Sequence, residues 1–362
     1  MSDIVPGASI FAEITSQGQA WAELIPMILS QASPIRELFS QSEEVLFTGC
    51  GSGLNAAFVA APTFQALTGT PSRALPAAEI YLFPESNLNP RRKYLAVLLS
   101  RSGKTTEVVQ AMDDLHRRGA LTIAVTCDGA SPLARGSDLA LVLTPAVEQA
   151  IATTRSLTGM ILTSQCLAAI VSGDEIYLDE LRRLAEIFAT RQPTFHALGK
   201  QVGQSTRLTR FAFVGNGSYY GLARESQLKV KEMTLMPADA YPMLDFRHGP
   251  KSNVDEHMLV VALISERART LEIQFLEEMQ ALGGITWAIC DRAGSELRRV
   301  ASFTLELDSG LSDLARAPLY MPAIQYMAYF LALSRGLNPD QPRNLSYWVE
   351  IFTGDDRNAI QT

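Results

Sequence analysis

Two strings, VLFTGCGS (residues 45–52) and FAFVGNGS (residues 211–218), share one shape: strand-forming residues, then glycine, one residue, glycine and serine. Gly49, Gly51 and Ser52 match Gly215, Gly217 and Ser218. Further out, AVLLS (96–100) matches VALIS (261–265), and Glu107 matches Glu272. TIAVTCD (122–128) matches TWAICD (286–291), and LALVL (139–143) matches FTLEL (303–307). The offset stays between 163 and 166 throughout, so the chain reads as a tandem duplication. In each copy short Val-, Leu- and Ile-rich runs alternate with helix-like segments, among them 105–118 and 271–282. That pattern predicts an α/β fold, a parallel sheet with helices on both faces in each copy.

The expected division is a helical segment over 1–44, copies over 45–195 and 196–340, and a tail over 341–362. In the helical segment Ser33 is the expected N-cap, with Pro34 at the first helical position. The length of 362 residues suits two domains of roughly 150 residues each. With 47% hydrophobic and 19% charged residues both can bury an ordinary core. Acids outnumber bases 38 to 31, which argues against nucleic acid or an anionic membrane as the partner. The N-terminus has no basic stretch followed by an apolar run, and no run approaches a membrane span. Cys50, Cys127, Cys166 and Cys290 are isolated, which fits buried thiols in a reducing cytoplasm. The four histidines show no ligand spacing, so no metal site or other cofactor is expected.

In a parallel sheet, ligands bind beyond the C-terminal strand ends. Three loops of the first copy belong there: 49–53 (GCGSG), 100–106 (SRSGKTT) and 148–154 (EQAIATT). The second carries Ser100, Ser102, Thr105 and Thr106 around Gly103 at a helix start. Free backbone N–H groups and the helix dipole favour an anion there, although hydroxyls are also ordinary helix caps. Three hydroxyl-bearing loops at one edge point to phosphate. The first loop lacks the third glycine and the following acid of a dinucleotide fingerprint, and no phosphate-binding GxxxxGK[ST] string occurs. Cys50 in that loop is either a nucleophile or a buried thiol.

Glu225, Lys229 and Glu232 are spaced i, i+4, i+7 and share one helix face. Such a face is either a solvated ladder of ion pairs or chemistry at the ligand edge, where the second glycine loop starts this helix. His248 follows in a Gly-Pro turn. A carboxylate and a histidine near an anion site can shuttle protons beside a carbonyl.

Taken with TGCGSGLNAA (48–57), LLSRSGKTTE (98–107), EQAIATTRSLT (148–158), ESQLKVKE (225–232), AYPMLDFRHGP (240–250) and DQPRNL (340–345), the chain resembles the tandem SIS (sugar isomerase) domain family. It is similar to the isomerase half of glutamine–fructose-6-phosphate aminotransferase and to stand-alone phosphosugar isomerases and glucosamine-6-phosphate deaminases. The resemblance implies two flavodoxin-like domains and a small-molecule sugar phosphate as ligand. It implies phosphate binding by Ser100, Ser102 and Thr105, with Arg101 and Lys104 adding charge beside them. Cys50, Gly51, Ser52, Ile151 and Thr153 would line the sugar. Glu232 would move the proton between C1 and C2, supported by Glu225 and Lys229. His248 would open the ring from a neighbouring subunit, which implies a homodimer with a shared active site.

Two features depart from the family. Only 44 residues precede the first copy and residue 2 is Ser, so no glutaminase with a terminal Cys is expected in this chain. Tyr347 stands where the family's synthase carries a lysine, four residues after Arg343, and SRSGKT replaces the family's SQSGET. The expected activity is isomerisation or deamination of an open-chain hexose phosphate, best glucosamine 6-phosphate to fructose 6-phosphate and ammonia. Cleavage of phosphorylated fructosyl–amino acids and non-catalytic sugar-phosphate sensing are the alternatives.

Overall fold

The computed structural model describes residues 5–351. Ser2 and the last eleven residues of the expected tail lie outside the described residues. The first sheet holds β1 (Glu44–Gly49), β2 (Ser72–Pro76), β3 (Tyr94–Leu99), β4 (Leu121–Thr126) and β5 (Leu139–Val142) in the order β2-β1-β3-β4-β5. The second holds β6 (Arg210–Gly215), β7 (Ala238–Tyr241), β8 (Met258–Leu263), β9 (Ile285–Cys290) and β10 (Phe303–Glu306) in the order β10-β9-β8-β6-β7. Read from the other edge this is the same order, and every paired strand is parallel. The sheets are therefore the expected flavodoxin-like pair.

The central strands are buried on both faces, and alternate side chains enter different cores. Val45, Phe47, Leu95, Val97 and Leu99 face inward, while Leu46, Ala96 and Leu98 face an outer core. The second sheet repeats this with Phe211 and Phe213 inward and Ala212 and Val214 outward. The outer cores are covered by Thr106–Arg117 on one sheet and Arg269–Ala281 on the other, each within a residue or two of its expected span.

The inner core is common to both sheets. Trp21 of the N-terminal helices, Leu157 of Arg155–Ser172, Phe195 of Glu175–Gly203, Leu222 of Tyr219–Thr234 and Ile324 of Met321–Ser334 all belong to it. The expected division at 195/196 falls inside the helix Glu175–Gly203. The expected cap at Ser33 is corrected: the helix runs Ala32–Ser40 behind Gln31. Pro34 therefore sits inside the first turn, where the missing N–H would have no intrahelical partner anyway.

Candidate active site

The first strand-end loop is shaped by close backbone approach. Gly51 has φ +52, and a Cβ on Gly53 would lie 2.3 Å from the Leu99 carbonyl oxygen, so the first loop folds directly over the end of β3. The next helix runs Ser52–Thr68, and Tyr219–Thr234 crosses it at Gly221. A Cβ on Gly221 would lie 2.6 Å from the Val59 nitrogen and 2.8 Å from the Asn55 carbonyl. This contact between backbones carries Glu225, Lys229 and Glu232 from the second copy to the loops of the first.

There the solvated-ladder reading fails. The side chains of Lys229 and Glu225 are 0% and 1% exposed, and that of Glu232 is 19% exposed. Lys229 Nζ lies 3.2 Å from Glu225 Oε1 and 2.5 Å from Glu232 Oε2. It also donates to Thr153 Oγ1 (3.2 Å) and Ser52 Oγ (3.4 Å). Glu225 accepts from Ser52 Oγ and from Asn55 Nδ2, both at 2.9 Å. Burial pulls the pKa of Lys229 down, but the two carboxylates outweigh it and hold it above its ordinary value. Lys229 is thus an ammonium that orients groups rather than a free amine. Of the three, Glu232 is the one that lines the cavity.

That cavity, of about 210 Å³, is lined by Cys50, Gly51, Ser52, Ser100, Arg101, Ser102, Thr105, Ile151 and Thr153 together with Glu232. All nine expected sugar- and phosphate-lining residues are brought together. Thr105 precedes the helix Thr106–Arg117 and makes no side-chain cap bond. Plain capping therefore does not occupy its hydroxyl. Ser100 and Ser102 receive the N–H groups of Gly103 and Lys104, each at 3.2 Å. The Cys50 thiol is pushed up to about 12 by burial and then by the nearby Glu107 charge, which removes the nucleophile reading.

Two expected charges point elsewhere. The Arg101 guanidinium donates to the carbonyls of Ala150 (2.9 Å), Ile151 (2.8 Å) and Tyr347 (3.2 Å) and faces Glu148 at 3.5 Å. It is committed to backbone carbonyls and a buried carboxylate, so it adds no free charge beside the phosphate loop. Lys104 pairs with Asp128 at 2.9 Å. His248 is exposed on a turn of the second copy and is not among the cavity-lining residues of its own chain.

The segment Leu345–Val349 closes one side of the cavity, and Asn55 anchors Glu225; neither role had a sequence signal, Tyr347 having stood out only as a departure from the family's lysine. The segment has no periodicity, and the partners of Asn55 are 170 residues away. In the second copy the matching edge is filled from within. Asp313 accepts the N–H groups of Glu266 (2.9 Å) and Arg267 (3.1 Å), and Glu272 accepts from Ser265 N (2.7 Å) and Asn216 Nδ2 (2.9 Å). An internal carboxylate holds the N–H groups that an anion would need there. Among the described residues no helix is long and apolar enough to cross a membrane, and no cluster of three or more His, Cys, Asp or Glu could hold a metal.

Known proteins share this two-sheet fold. The tagatose-6-phosphate ketose/aldose isomerase of Escherichia coli superposes with a TM-score of 0.85 at 25% identity, covering 97% of this chain and 99% of that one. The glucosamine-6-phosphate deaminase of Thermotoga maritima gives a TM-score of 0.77 at 29% identity, covering 95% and 100%. Among curated relatives, the glutamine–fructose-6-phosphate aminotransferase of Pseudomonas aeruginosa is 29% identical over 332 residues, 87% of this chain and 53% of that protein. The chain spans about half the length of the curated relatives it matches. A family model described as SIS domain matches residues 38–170 and again 207–335, so the chain belongs to the SIS domain family, with the domain present twice.

Proposed function

We propose that this protein is a phosphosugar isomerase or deaminase, with glucosamine 6-phosphate, converted with water to fructose 6-phosphate and ammonia, as its substrate. The observation that carries the reading is Glu232. It is the one exposed member of a buried acid–lysine–acid cluster, and it opens into the cavity that holds Ser100, Ser102 and Thr105. The hydroxyl loop and the helix N-terminus grip the phosphate. Glu232 takes the proton at C2 of the open-chain sugar and returns it at C1. Lys229, held charged, fixes that carboxylate and orients Thr153 and Ser52. Ring opening falls to His248 of a second copy, which makes the working enzyme a homodimer. A cytoplasmic location belongs to the same reading, because its four free cysteines suit a reducing compartment.

Glu232→Gln is expected to lose about 10²- to 10⁴-fold in turnover while still binding the sugar phosphate. Hexose and amino-hexose phosphates, with products read by NMR, form the assay. Unchanged turnover in this variant removes Glu232 from the chemistry. Binding without turnover of any candidate by the wild type favours a sensor instead.

A second reading, cleavage of phosphorylated fructosyl–amino acids, is favoured by Tyr347. The side chain at that position supplies no amine for a Schiff base with a keto sugar. Release of free amino acid rather than ammonia selects it.

A further inference from the structure

Three segments remote in sequence meet around one guanidinium. Arg101 belongs to the phosphate loop and is 8% exposed. It donates to Ala150 and Ile151 of the sugar-facing loop and to Tyr347 of the C-terminal segment. The Tyr347 ring lies against it, 3.8 Å from the guanidinium carbon to the ring centroid. The Tyr347 hydroxyl donates to the Glu148 carbonyl at 3.0 Å, in the same sugar-facing loop. Arg101 and Tyr347 are also, together with Lys104, positions at which the sequence departs from its family's motifs. Two further bonds lay the segment on the phosphate loop: Thr106 N donates to the Val349 carbonyl (3.3 Å), and Ile351 N donates to Thr106 Oγ1 (3.0 Å).

We infer that Arg101 is a positioning residue whose stack on Tyr347 latches the C-terminal segment and the sugar-facing loop onto the phosphate loop, so that the cavity is whole only while the latch is closed. The inference rests on the phosphosugar reading of that cavity. Only a planar fork can reach three carbonyls and still stack on a ring, so lysine is a poor substitute. When the latch opens, the wall formed by Leu345–Val349 leaves the cavity, while Ser100, Ser102 and Thr105 keep their places on the sheet edge. Ligand affinity then falls more than the chemical step.

Trp348, next to Tyr347, is a built-in reporter. It is 37% exposed, whereas Trp21 and Trp287, the other two tryptophans, are fully buried. Acrylamide quenching therefore reads the segment without any ligand. In Arg101→Lys and in Tyr347→Ala the quenching constant is expected to rise about twofold or more, since both loosen a charge-assisted contact. KM for the sugar phosphate turned over by the wild type is expected to rise about tenfold or more, with kcat changing less. Tyr347→Phe keeps the ring and is expected to quench like the wild type. Should Arg101→Lys fail to fold, Tyr347→Ala carries the test, because that side chain lies at the edge of the molecule. Wild-type quenching and KM in the folded variants overturn the latch, and so does a Phe variant as open as the Ala variant. A wild type that turns over no sugar phosphate fails the functional reading alone, because quenching still decides the latch.

Discussion

Glu13 shows how a buried ionisable group far from the chemistry shapes the site. Its Oε1 accepts the N–H groups of Gln149 (2.6 Å) and Ala150 (3.1 Å), fixing the start of the 148–154 loop from an N-terminal helix. Burial, and then the Glu148 charge, raise its pKa from 4.5 to about 7. The folded chain keeps this proton up to about pH 7, where an unfolded chain loses it near 4.5. The native state therefore binds more protons across that window, and stability falls as pH rises through it. Urea midpoints measured from pH 4.5 to 8 are expected to decline in the wild type and to be flatter in Glu13→Gln, which keeps an acceptor oxygen. Equal slopes would contradict this. Lys229 was legible as a lysine between two carboxylates on one helix face. Its burial was not, because spacing along a helix does not say what the helix packs against.

At the scale of elements, the crossing at Gly221 is what delivers the acid–base cluster. In Gly221→Ala the new methyl meets backbone atoms of Val59 and Asn55, which cannot rotate away, so the helices must separate. The expected destabilisation is about 1–3 kcal/mol by urea unfolding, with turnover falling further than stability alone explains as Glu225 loses Ser52 and Asn55. Turnover that tracks only the folded fraction would count against this role. Eight of the ten described strands and the helices Thr106–Arg117 and Arg269–Ala281 were legible, because continuous apolar runs mark buried parallel strands and helical periodicity marks a half-buried helix. The start at Ala32 was not, since Ser and Pro are also acceptable within a first turn. The Leu345–Val349 segment was not either, because it is held by individual hydrogen bonds and a stacked ring, which leave no repeat in the sequence.

For the whole molecule, the shared inner core has a thermodynamic consequence. Residues from both sheets and from the N- and C-terminal helices form one cluster, so neither copy buries its inner face alone. The full chain is expected to unfold in a single cooperative urea transition, seen together by far-UV circular dichroism and by fluorescence of the buried Trp21 and Trp287. Fragments 1–195 and 196–340 are expected to stay unfolded when expressed separately. Two separated transitions would show independent copies.

By itself the sequence determined the duplication, the α/β class and the cluster of loops at one sheet edge. Those follow from repeated local patterns and from the rule that a parallel sheet presents its ligand loops at one end. Only the tertiary structure decided which residues those loops and the second copy's helix bring together. Asp313 fills the edge of the second copy, Arg101 is turned from its own loop to the carbonyls of two other segments, and Gly221 lets a helix of one copy complete the cavity of the other. The physical reason is common to all three: each depends on contacts between residues distant along the chain, where burial and a few ångströms of approach, rather than residue type or spacing, set what a side chain can do.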